Sequence, residues 1–146
     1  VTIEVAEIPS AHTHPLRLSV LRFDTPTKEV VFAEDDWPGA WHLGLRRDGA
    51  LVAVCSWVPR PHHERADAVQ LRGMATERSL QGTGLGGRLL QDGCGIAADR
   101  GFGLVWARAR DAAMTFYLRH GFVVEGDGFT DQATQLPHHL MVRELA

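Results

Sequence analysis

Residues 81–87, Gln81-Gly82-Thr83-Gly84-Leu85-Gly86-Gly87, contain four glycines, and this spacing suits phosphate or pyrophosphate binding by backbone amides. Without a Cβ the main chain can approach an anion that side chains would hold off. The stretch follows an apolar strand-like run and leads into a helix-like one. The unpaired first-turn N–H groups and positive dipole end of that helix would therefore face the ligand. About thirty residues further on is Tyr117, the chain's only tyrosine, a phenol of pKa ~10 that stays protonated at neutral pH and has a proton to give. The string Gly82-x-Gly84-x-x-Gly87 also fits the dinucleotide fingerprint, but that reading wants an acidic residue at the tip of the following strand. Here the strand runs Leu104-Val105-Trp106 into Ala107 and Arg108. A P-loop is excluded because its lysine is missing.

The elements that must position these residues follow from hydrophobic period and turn chemistry. Val1 to Val5 reads as a first strand, and Leu16, Val20, Leu21 and Phe23 give a helical stripe with Arg17 and Arg22 on its flanks. Residues 24–40, with prolines and the acidic trio Glu34, Asp35 and Asp36, read as a loop or broken helix. Trp41 to Arg46, Asp48-Gly49 and Leu51 to Val58 predict a hairpin with a tight primed turn. A polar connector holding His62 and His63 leads to a strand over Val69 to Thr76, whose interior Gly73 predicts a bulge or a close approach to a ligand. A helix is predicted from Leu85 to about Arg100, then a short buried strand Leu104 to Ala107. Another helix is predicted over Ala112 to His120, with Asp111 as N-cap and Gly121 at its end. Phe122 to Glu125 and His139 to Leu145 read as the last strands, joined by a turn around Asp127-Gly128.

The chain has 146 residues, 45% of them apolar and 23% charged, and a net charge of −3. That suits one domain over 1–146 with its own core. The acidic balance argues against a nucleic-acid partner, and no apolar run reaches membrane-spanning length. The expected location is the cytoplasm. Cys55 and Cys94 fall in no metal-like or CxxC spacing and read as free buried thiols. The histidines occur in separate loops, as His12/His14, His62/His63 and His138/His139, so no metal is expected.

Gln81-x-x-Gly84-x-Gly86 resembles the acyl-CoA pyrophosphate loop of the GNAT family of N-acetyltransferases. Arg72-Gly73-Met74-Ala75-Thr76 resembles that family's central strand, and Ala112-x-x-x-Phe116-Tyr117-x-x-x-Gly121-Phe122 its second motif. The hairpin and Pro137-His138-His139-Leu140-Met141 are similar to a branch of small bacterial members. The resemblance implies an α/β fold whose mixed, mostly antiparallel sheet is splayed at its centre and flanked by helices.

It also implies acetyl-CoA as cosubstrate and transfer of the acetyl group to a primary amine by direct attack in a ternary complex. Met74, Ala75 and Thr76 would line the pantetheine arm, and Gln81, Gly82, Thr83, Gly84, Leu85, Gly86 and Gly87 the pyrophosphate. Phe116 and Arg108 would add cofactor contacts, and Arg78 or Arg88 could reach the ribose phosphate. The Met74 amide would polarise the thioester carbonyl, and Tyr117 would protonate the departing thiolate of pKa ~8.5. Glu34, Asp35, Asp36, His42 and His138 are the candidates to relieve the amine of its proton. Relatives of this branch often carry asparagine where Arg108 stands, so an anionic acceptor or an acidic neighbour is its expected partner. The acceptor is a small-molecule or peptide amine, and a homodimer is common in such folds. The alternative is a non-catalytic acyl-CoA-binding module on the same fold.

Overall fold

The computed structural model describes residues 1–145. Seven strands, β1 (Ile3–Glu7), β2 (Trp41–Arg47), β3 (Ala50–Pro59), β4 (Ala68–Thr76), β5 (Leu104–Arg110), β6 (Val123–Thr130) and β7 (Pro137–Glu144), form one sheet in the order β1-β2-β3-β4-β5-β7-β6. Every neighbouring pair is antiparallel except β4–β5. That parallel pair stays in register only for Ala68–Leu104, Val69–Val105 and Gln70–Trp106. Beyond Gln70 the two strands separate, and a wedge opens at the centre of the sheet.

A bulge lies at the mouth of this wedge. Val54 faces Ala75 and Ser56 faces Arg72, so the single residue Cys55 stands opposite Gly73 and Met74. Gly73 has φ +59°, where a Cβ is strained, and a Cβ there would also sit 3.1 Å from the Arg17 guanidinium. The β2–β3 turn has Asp48 at φ +50° and Gly49 at φ +85°, the two positive values of a type I′ hairpin.

Residues 10–21 are helical throughout, in a 3-10 turn (Ser10–Thr13), α1 (His14–Leu16) and a π turn (Arg17–Leu21). Arg17 is not a flank residue, as its place in the stripe suggested, but fully buried. It donates to both oxygens of Asp35 (2.8 and 2.9 Å), to the Val30 carbonyl (2.8 Å) and to Ser56 Oγ (2.7 Å). An arginine in the core is tolerated because its fork is paired and hydrogen-bonded in place.

The main helix, α2 (Leu85–Asp99), lies across one face of the sheet, burying Leu89, Leu90, Cys94 and Ala97 with Trp57, Val69, Val105 and Met141. Gly93 weakens the helix, but a Cβ there would run into the Trp57 indole. The helix predicted after Asp111 divides into a 3-10 turn (Asp111–Ala113) and α3 (Met114–Arg119). Asp111 does not cap it; its carboxylate pairs instead with His139 Nδ1 at 2.6 Å. The predicted turn at Asp127-Gly128 is also displaced. Gly126 to Gly128 form an irregularity inside β6, opposite His139, and the chain reverses at 131–136. Gly128 is needed where it stands because a Cβ there would lie 2.8 Å from the His139 ring.

Candidate active site

The wedge holds two cavities that share Leu21, Met74, Arg110, Ala113 and Tyr117 in their walls. The larger, about 710 Å³, runs from the end of β4 over the start of α2 to α3. Met74, Thr76, Gln81, Gly82, Gly84, Gly86, Gly87, Phe116 and Tyr117, all singled out in the sequence, line it. Gly84 caps α2 with φ +90°, and Gly82 has φ +80°. The amide of Arg88 makes the first intrahelical bond, to the Gly84 carbonyl at 3.0 Å. The amides of Leu85, Gly86 and Gly87 precede it and have no partner in the helix. A Cβ at Gly86 would lie 2.8 Å from Thr76 Oγ1, and one at Gly87 would strike the His120 ring. The helix start is thus wedged between β4 and α3. Gln81 ties the loop back to β4 by donating to the Thr76 carbonyl at 3.0 Å.

Four of the predicted cofactor residues do not line this cleft. Ala75 points to the other face of β4, into a small cluster with Ile8, Leu16 and Val54. Leu85 packs against the main core, and the Thr83 hydroxyl donates to the Leu80 carbonyl at 2.5 Å. Arg108 faces the smaller cavity, stacked over Phe129 (4.7 Å) and bonded to Asp131 (2.9 Å). Of the two arginines proposed near the ribose, Arg78 borders the cleft and stacks on Phe23 (3.3 Å), whereas Arg88 pairs with Asp92 (3.2 Å).

The smaller cavity, about 220 Å³, lies between the π turn, β4, β5 and the 131–138 segment. Arg22, Arg72, Arg108 and Arg110 line it, and Asp131 is the one carboxylate in its wall. Burial first, then the neighbouring Arg110, lowers the Arg22 pKa, against the pull of Asp131. Burial lowers that of Arg72 too, against the attraction of Glu34 and with the repulsion of Arg60 and Arg17. For Arg110, burial outweighs the attraction of Asp24 and Asp131. Arg22 donates only to the carbonyls of Glu29 and Leu21. Burial pushes the Asp131 carboxyl up, but the bonds from Arg108 and from the Thr134 amide and hydroxyl outweigh it and hold it at about 2. Arg72 is paired with Glu34 (2.7 Å), Arg108 with Asp131 (2.9 Å) and Arg110 with Asp24 (3.8 Å), so among the described residues Arg22 is the wall arginine without a carboxylate partner, in a partly desolvated space.

Tyr117 borders both cavities. It is buried, with its ring edge-on to Phe116 and Phe122, each at 5.2 Å. Burial, then the adjacent Cys55, pushes its phenol above the ordinary value, and no hydrogen bond offsets the shift. Met74 also borders both, next to the bulge. The two thiols take no part in either cavity wall. Burial pushes Cys55 up to about 12, although Trp57 Nε1 donates to its sulfur at 3.2 Å.

The candidate bases separate clearly. Asp35 is locked to Arg17, and Glu34 to Arg72 at 2.7 Å, while Asp36 is exposed. His42 uses both ring nitrogens inside the core, on Ser56 Oγ (2.6 Å) and the Asp35 carbonyl (3.2 Å). His138 lines the arginine cavity, with its Nδ1 2.9 Å from the Leu136 carbonyl. A carbonyl only accepts, so Nδ1 carries the proton and Nε2 of the neutral ring keeps its lone pair.

The arginine wall was not foreseen as a site. One signal was available: Arg108 and Arg110 are two apart on a strand and so share a face.

The family model described as the acetyltransferase (GNAT) family matches residues 9–122. The chain is 30% identical over 129 residues to the uncharacterized N-acetyltransferase YitI of Bacillus subtilis, covering 87% of each protein. Its fold is similar to an acyl-CoA N-acyltransferase from Pseudomonas aeruginosa (TM-score 0.79, 21% identity, 97% of this chain and 99% of that one). It is also similar to an aminoglycoside 6′-N-acetyltransferase crystallised with coenzyme A (TM-score 0.76, 14% identity, 98% and 97%). The chain belongs to the GNAT family and is an acyl-CoA-dependent acetyltransferase.

Proposed function

We propose that this enzyme transfers an acetyl group from acetyl-CoA to the primary amine of a small acceptor that also carries an anionic group. The observation that carries this reading is Tyr117 at the junction of a cleft floored by free amides and a cavity walled by four arginines. The cleft takes the cosubstrate, with its pyrophosphate on the amides of Gly82 and of Gly84 to Gly87, those of Gln81 and Thr83 being bonded within the loop, and its pantetheine arm along Met74 and Thr76. The acetyl thioester then lies at the bulge, where the Met74 amide, out of the β3–β4 register, donates to the thioester oxygen. The acceptor enters from the other side, with its anionic group on Arg22, Arg72, Arg108 and Arg110.

His138 Nε2 takes a proton from the amine nitrogen, which attacks the acetyl carbon in the ternary complex. As the carbon–sulfur bond breaks, Tyr117 gives its proton to the thiolate, and solvent restores the phenol. Arg22, which has no carboxylate partner among the described residues, disfavours a polycationic acceptor.

A thiol-release assay across paired amines tests the acceptor class. An amino acid or aminoalkyl phosphonate should exceed its uncharged amide or ester by at least about tenfold in kcat/KM. Faster turnover of the neutral or polycationic amine would contradict the reading.

A further inference from the structure

A second site lies on the face of the sheet that carries the arginine wall, one strand step along β5 from Arg108. The connector between β3 and β4 turns tightly at 62–65, with the His62 amide 3.2 Å from the Arg65 carbonyl and the reverse bond at 2.9 Å. Trp106 Nε1 holds the start of the connector through the Arg60 carbonyl at 3.1 Å. The buried His62 ring stacks on the Trp106 indole with centroids 4.7 Å apart. His63 adopts φ +51°, a conformation that favours glycine, and its ring stands 4.1 Å from that of His62. Both Nε2 atoms converge on one oxygen, Glu125 Oε1, at 2.8 and 2.7 Å. Glu125 is more than sixty residues away in sequence, on edge strand β6 just before its irregularity.

We propose that His62, His63 and Glu125 form a binding site for a divalent transition ion of the zinc class, which clamps the connector to the edge strand. The three donor atoms lie within 4.8 Å of one another. Two imidazoles and a carboxylate are a donor set that suits zinc over the hard, all-oxygen cations. Donors each about 2.1 Å from a tetrahedral ion stand about 3.4 Å apart, so drawing the carboxylate oxygen back from each ring nitrogen by roughly 0.6–0.7 Å admits it. With no ion between them, both Nε2 atoms donate to the carboxylate. On binding, the ring protons move to Nδ1 through solvent, the two lone pairs and the carboxylate bind the ion, and water fills the open position.

No metal was expected because the histidine pairs, His62/His63 among them, fall in separate loops without a helical HExxH or a cysteine partner. The fold supplies the third ligand. The site is separate from Tyr117 and from the arginines, so its occupancy and the acetyl-transfer reading can fail independently.

The test is a zinc titration by calorimetry on untagged, chelator-treated protein, with His63→Ala and Glu125→Gln alongside. His63 and Glu125 are the less buried members of the set, so these variants spare the packing of His62 on Trp106. The wild type should bind one ion per chain with a Kd of about 10 µM or tighter, and each variant should bind at least about tenfold more weakly. Zinc should raise the unfolding midpoint of the wild type alone, and His63→Ala should keep full thiol release. No saturable binding up to about 1 mM, or equal affinity in both variants, would overturn the proposal.

Discussion

The cleft and the arginine cavity share Leu21, Met74, Arg110, Ala113 and Tyr117 but are otherwise built from different materials. The pyrophosphate end of the cleft is main chain: glycines at positive φ, the first amides of α2 and the splayed end of β4. The cavity is side chain: four arginines, a carboxylate and a histidine drawn from the π turn, β4, β5 and the 131–138 segment. A site of backbone amides recognises what every acyl-CoA has in common. A site of charged side chains can be altered one residue at a time, and it is there that an acceptor would be selected.

Damage confined to one region sharpens this contrast. Gly84→Val has the largest expected effect, because valine at φ +90° must either strain or rebuild the loop. Acetyl-CoA affinity should fall at least about a hundredfold by calorimetry while the fold survives. Retained affinity would remove the loop from cofactor binding. Arg17→Met leaves Asp35 charged and unpaired in the core, which costs about 3–5 kcal/mol when such a pair is broken. A urea melt should record that loss, and a change under about 1 kcal/mol would show that the network is not holding the bulge region.

Arg22→Gln touches only the cavity. It should raise KM for an anionic acceptor about tenfold with acetyl-CoA affinity unchanged, and a matched loss of cosubstrate binding would dissolve the distinction between the two regions. The smallest effect is expected with acid. Asp131 is held at about 2 against an ordinary value of 3.8, so its share of stability is complete above about pH 4 and is lost as pH falls toward 2. Asp131→Asn should flatten that part of the thermal-stability profile; an unchanged slope would show that the Arg108 pair contributes nothing.

The same contrast governs how much could be read in advance. The glycine loop, the Asp48-Gly49 turn and the bulge at Gly73 are local events, in which a residue's own conformational freedom decides the backbone. They stand in the structure where the sequence placed them. The arginine wall depends on which strands become neighbours, and nothing local to Arg22 or Arg72 reveals that they share a cavity with Arg110. Arg17 is the sharpest case. Its charge marked it as a surface flank, yet Asp35 and Ser56, 18 and 39 residues away, make it a core residue. The turn assigned to Asp127-Gly128 failed for a related reason: Gly128 makes room for His139 across the ladder and does not reverse the chain. His138 could be singled out only once the fold had occupied both nitrogens of His42.

The central claim is that Tyr117 serves as proton donor between the two regions. Steady-state kinetics of Tyr117→Phe, with acetyl-CoA affinity measured on the same preparation, test it most directly. The substitution should lower kcat at least about tenfold and leave acetyl-CoA affinity unchanged within about twofold. An unchanged kcat would contradict the claim.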